Sequence, residues 1–201
     1  CGCHPHQCMP QCQPGQQQPN FGGTLQQDCK GKPIEYTTSG GYKVTVNHDK
    51  VTILDPCGNK VEQSGDPHEH VNGKHIKDWD GKARSIILPD GTKITMNASG
   101  PHGVTEHTSI YDGTQNVQID NRSNTVESRS FNPWDTAGRE RTQMDGETAY
   151  MGYGQDGSLI YRNIYKQNEN GQVIPFFQDL ARTRPGGGVV DLFDDPRLGH
   201  T

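Results

Sequence analysis

The chain has little with which to build a core. Val, Ile, Leu and Phe together make 34 of its 201 residues, under the roughly 20% below which a chain tends toward disorder. The net charge of −5 is also small, and disorder from composition requires high charge as well. Both facts are met if the apolar residues are gathered, and 26 of the 34 fall between Ile34 and Phe177. One modest core is expected there, with weakly ordered ends. Basic runs and aromatic-rich basic stripes are missing, which argues against nucleic acid as a partner. No apolar run approaches the roughly 20 residues of a membrane span. Cysteine is nearly missing beyond residue 33, where Cys57 stands alone, so the core is not expected to depend on a disulfide framework. A 3.6-residue apolar period is missing too, apart from a short helix suggested near Phe176–Arg182.

What is present alternates. Residues 1–33 carry Pro, Gln, Gly and Cys without a period and read as a flexible tail. Its Cys1, Cys3, Cys8 and Cys12, interleaved with His4 and His6, leave two readings open: zinc ligands, or a flexible or disulfide-linked tail. Residues 180–201, with Pro185-Gly186-Gly187-Gly188 and Asp194-Asp195-Pro196, read as a second tail. Between them lie strand patterns: Tyr42–Val46, Val51–Leu54, Ser85–Leu88, Lys93–Met96, Thr108–Tyr111, Asn116–Ile119, Thr125–Ser128, Thr148–Tyr153 and Ser158–Tyr165. Strands spaced about every 8–12 residues, with Gly, Asp and Asn turns, predict a mainly β domain over 34–179, an antiparallel sandwich, roll or barrel.

The segment that carries chemistry is Ser64-Gly65-Asp66-Pro67-His68-Glu69-His70-Val71-Asn72-Gly73-Lys74-His75, followed by Asp78-Trp79-Asp80-Gly81. In an Asp–Pro bond the Asp side-chain oxygen can reach its own main-chain carbonyl and close a five-membered anhydride. Proline supplies a tertiary amide whose nitrogen leaves comparatively well once protonated. At neutral pH such a bond lacks a proton donor and something to polarise its carbonyl. His68 titrates near neutrality and follows the proline directly, so it can donate the proton. A divalent ion can supply the second need. Glu69, Asn72, Asp78 and Asp80 are hard oxygen ligands close by, which suits calcium, while His68, His70 and His75 offer zinc an alternative. Gly65 permits a strained backbone before the nucleophile. Asp55-Pro56 and Asp195-Pro196 have neither a preceding Gly nor a following His. Chance occurrence of Gly-Asp-Pro-His in a chain this long is on the order of one in a thousand from average usage.

These residues resemble the metal-ion-inducible autocleavage family, found in type III secreted effectors of plant-associated bacteria and in other proteobacterial proteins. The resemblance covers roughly residues 40–178. It rests on Gly65-Asp66-Pro67-His68, Asn72-Gly73-Lys74-His75, Asp78-Trp79, Leu88-Pro89-Asp90-Gly91-Thr92-Lys93-Ile94-Thr95-Met96, Ile110-Tyr111-Asp112-Gly113 and Asp145-Gly146-Glu147. It implies calcium-triggered cleavage between Asp66 and Pro67, with His68 as the adjacent histidine. The effector version continues with Val and Asp where this chain has Glu69 and His70. Animal von Willebrand type D domains share the Gly-Asp-Pro-His string, but their dense cysteines are missing here.

The expectation is therefore a secreted or translocated bacterial β-domain that cuts itself once, a single turnover, with Gly65, Asp66, Pro67 and His68 at the reaction and Glu69, Asn72, Asp78 and Asp80 toward calcium. A host target or other protein partner fits an effector of this kind. The competing reading is a calcium-stabilised binding module in which Asp66-Pro67 is merely a tight turn.

Overall fold

The structure, a computed structural model, describes residues 22–79, 81–183 and 188–191. Two sheets share one hydrophobic core. The first is a seven-stranded antiparallel meander of β1 (Thr24–Gln26), β2 (Ile34–Thr37), β3 (Lys43–Asn47), β4 (Lys50–Leu54), β5 (Lys60–Ser64), β6 (His68–Val71) and β7 (Lys74–Asp78), laid down in chain order. Its clearest strands, β3 and β4, form because apolar residues recur at every second position, the period of a half-buried strand. Val44 and Val46 of β3, and Val51 and Ile53 of β4, point inward with polar residues between them.

The second sheet has nine strands. β8 (Ala83–Ile87), β9 (Lys93–Ala98), β10 (Thr105–Asp112), β11 (Gln115–Asp120) and β12 (Thr125–Ser130) run as a meander to one edge. Helix α1 (Pro133–Thr142) then returns the chain to β13 (Glu147–Tyr153), which pairs in parallel with β8. β14 (Leu159–Gln167), β15 (Val173–Thr183) and β16 (Val189–Asp191) complete it. The molecule is mainly β as expected. Among the described residues neither sheet closes into a barrel.

Three features differ from the sequence reading. Phe176–Arg182 lies in strand β15, not in a helix. Side chains there alternate between exposed and half-buried before ending at buried Leu180 and Ala181, a two-residue period that so short an apolar cluster conceals. The helix lies instead at Pro133–Thr142, where Asn132 caps the first turn by accepting from Trp134 N at 2.9 Å and Pro133 starts the helix. Thr136 is its one buried residue, so no apolar stripe announced it. Two short strands, β1 and β16, also fall inside the segments read as tails. The amino-terminal Cys/His cluster lies outside the described residues.

Polar pins join the sheets. Tyr36 donates to Asp112 at 3.0 Å, Tyr153 donates to Asp55 at 2.6 Å, and His48 N donates to Asn124 at 2.6 Å. Buried polar groups of this kind are costly unless paired, so each pin fixes how one sheet sits on the other.

Candidate cleavage site

β5 and β6 pair in register, with Ser64 opposite His68. The three residues between them, Gly65, Asp66 and Pro67, form the whole connection. Gly65 has φ +68°, in the left-handed region where a side chain is strained. Its N–H donates to the Asp49 carboxylate at 3.1 Å, so the neighbouring β3–β4 turn holds the loop from the side. On the far side Trp79 N donates to Pro67 O at 3.3 Å. The loop is asymmetric: Asp66 is exposed while Pro67 is buried. The Asp66–Pro67 amide thus sits at the boundary, with the exposed Asp66 on one side and the buried Pro67 on the other.

His68 links the loop to the next strand. Its Nε2 lies 3.1 Å from Asp66 Oδ1, and its Nδ1 lies 2.6 Å from Asp78 Oδ1. Asp78 Oδ1 also lies 2.8 Å from His75 Nε2. The imidazolium of His68 is favoured above its ordinary range, first by the hydrogen bond to Asp78 and then, despite some desolvation, by the charges of Asp78 and Asp66. The Asp78 carboxyl is held below its ordinary range by hydrogen bonds from His75 and His68. The shift favours the doubly protonated ring, whose Nε2 faces the Asp66 carboxylate at 3.1 Å.

The proposed metal ligands scatter. Glu69 follows His68 and therefore points to the other face. It is fully buried and receives Arg84 from the second sheet, Nη2 to Oε1 at 2.8 Å and Nε to Oε2 at 3.0 Å. Gln63 also donates to it, while Trp79 Nε1 donates to Gln63 Oε1 at 2.5 Å. Asn72 and Gly73 have φ of 48° and 82° and form the two-residue β6–β7 turn, the Asn-Gly pattern of a tight hairpin. Asn72 Oδ1 accepts from Lys60 N at 2.7 Å. Asp80 lies outside the described residues. Of the four, the described structure brings Asp78 alone to the His68 ring, beside the Asp66–Pro67 loop.

Asp49 was missed by sequence reasoning, and no local signal marks it. It lies 16 residues before Gly65 and reaches it only through the meander register.

Compared with protein-family models, curated proteins and solved structures, the chain matches none. The site stands on its own geometry. That geometry puts a carboxylate, its own peptide carbonyl and a buried proline on one three-residue loop, with an imidazole on the first residue of the strand that follows.

Proposed function

We propose that this chain cuts its own Asp66–Pro67 bond once, in a reaction set off by a divalent cation, with calcium as the trigger the resemblance implies. The observation that carries the reading is the position of His68, whose Nε2 lies 3.1 Å from Asp66 Oδ1. One ring orients the nucleophile and carries the proton that the leaving nitrogen needs.

The reaction balances as follows. An Asp66 carboxylate oxygen attacks the Asp66 main-chain carbonyl carbon and forms a cyclic tetrahedral species. The carbon–nitrogen bond to Pro67 breaks as His68 gives its proton to the departing nitrogen. Asp66 is left as a cyclic anhydride, which water opens to two carboxyl groups. Burial of Pro67 keeps the leaving group in line, and Asp49 keeps Gly65 in its left-handed conformation. Positioning of this sort removes orientational entropy from the barrier.

Asp66 and Asp78 are the exposed carboxylates that would hold calcium, with solvent completing its six to eight oxygens. Calcium would offset the negative charge gathered there and polarise the carbonyl. Two protein carboxylates make a weak site, in the range of roughly 10⁻⁴–10⁻³ M typical of extracellular modules.

The test is a denaturing gel of the purified chain with calcium and with a chelator, followed by amino-terminal sequencing. Two bands, the larger beginning Pro-His-Glu-His, support self-cleavage at this bond. A single band with a raised melting temperature supports the calcium-stabilised binding module.

A further inference from the structure

We infer that the outward face of the β6–β7 hairpin is a site for a d-block divalent cation, such as Zn²⁺, Co²⁺, Ni²⁺ or Cu²⁺, held by His68 Nδ1, His75 Nε2 and Asp78 Oδ1. Both imidazole nitrogens approach the same carboxylate oxygen, at 2.6 and 2.8 Å. All three donor atoms lie within 4.8 Å of one another. One oxygen shared by two ring N–H groups marks a point where one cation can replace two protons. Tetrahedral zinc with bonds of about 2.0–2.1 Å separates its ligands by about 3.3 Å, so each ligand need move by well under an ångström.

A bulge produces the arrangement. His75 and Asp78 are three apart, an odd offset that a regular strand sends to opposite faces. The register shifts between the Glu69–Lys77 and His70–His75 pairs. This irregularity turns both residues outward, while Ile76 between them stays buried. Bulges commonly re-aim side chains beside functional sites. His68 and His70 share the same face of β6. The rings of His70 and His75 meet edge-on at 5.3 Å, and the buried His70 Nδ1 has no hydrogen-bond partner among the described residues.

The donor set decides the ligand class. Two nitrogens and one oxygen suit d-block cations above calcium or magnesium. This site differs from the calcium position in using His68 and His75, although the two share Asp78. A cation on His68 Nδ1 leaves the ring proton on Nε2, which faces Asp66 at 3.1 Å. That is the carboxylate–histidine–metal pattern in which a second partner fixes the tautomer. The link to cleavage rests on the function proposed above; the binding site does not.

The test is titration of Co²⁺ into full-length Asp66→Asn protein, which stays intact, read by calorimetry and visible absorption. His75→Ala and Asp78→Asn in that background should lose one cation per chain, or weaken it by more than the roughly 10–100-fold that losing a group which merely orients a ligand costs. Any cobalt remaining in both variants is bound elsewhere on the chain. Unchanged stoichiometry and affinity in both variants, each folded by circular dichroism, would overturn the site. Loss of one equivalent with a wild-type chain that no cation cuts keeps this site and defeats the cleavage reading. Calcium-triggered cutting without any lost equivalent does the reverse.

Discussion

Arg84 grips Glu69 with two parallel contacts, of 2.8 and 3.0 Å, and both side chains are sealed from water. The pair joins β8 of one sheet to β6 of the other, one residue from His68. Asn163 accepts from Arg84 Nη1 at 2.7 Å, so the guanidinium is well paired. Removing Glu69 leaves the buried Arg84 with only the partly exposed Glu147 carboxylate, 3.3 Å from Nη1, to offset its charge. Glu69→Ala should cost about 3–5 kcal/mol of stability, measured by denaturant unfolding. A loss under 1 kcal/mol would mean that the pair does not hold the hairpin.

The same pair sets an acid limit. Burial alone would raise the Glu69 carboxyl, but the Arg84 guanidinium overrides it and holds the group below its usual value of 4.5. The folded protein therefore binds this proton less readily than the unfolded chain does. Its contribution is present above about pH 4.5 and is lost as pH falls through the lower folded value. The stability gap between wild type and Glu69→Gln should narrow in that acid window. A gap constant from pH 7 to pH 3 would contradict this.

Asp66 is exposed at the tip of its loop, so Asp66→Ala should leave the melting temperature nearly unchanged while abolishing cleavage. Asp66→Asn should be almost as inert, because an amide is a poor nucleophile. Substantial cutting by folded Asp66→Ala would eliminate the anhydride route.

His68→Ala should lower the maximal cleavage rate by roughly 10²–10⁴-fold, the usual worth of a general acid. Rate measured against calcium concentration separates this from a binding role. A lower plateau supports proton donation, and a shifted midpoint with the same plateau assigns His68 to holding the cation. An unchanged curve excludes both.

Cleavage should not separate the pieces. A cut at Asp66–Pro67 would fall between β5 and β6, which would stay joined by the pairs Val61–Val71, Glu62–His70, Gln63–Glu69 and Ser64–His68. Strands from both sides of the cut bury Ile34, Val44, Ile53, Val71 and Ile86 in one core. The cleaved protein should run as two bands in denaturant and as one peak in native size exclusion. Two native peaks would show that the core does not hold the halves together.

The sequence made the second sheet readable where short apolar stretches met clear turns, as at Ser85–Leu88 and Lys93–Met96 on either side of Pro89-Asp90-Gly91. It concealed β6 and β7 because polar residues take inward positions there: Glu69 points inward only because Arg84, 15 residues on, meets it. Gly65, Asp66, Pro67 and His68 were legible as a unit because neighbours in the chain meet on one tight loop. Asn72 looked like an oxygen ligand, whereas its positive φ is a turn property. The pairing of His75 with Asp78 depends on a bulge, and no residue type announces the register shift.

A cut at residue 66 would change the molecularity of folding. Before it, β5 meets β6 as two parts of one chain, and the three-residue loop keeps their effective concentration high. After it, the same ladder is an association of two molecules, and recovery from unfolding depends on protein concentration. The cleaved molecule would behave like its precursor until something unfolds it. At high dilution it would not come back.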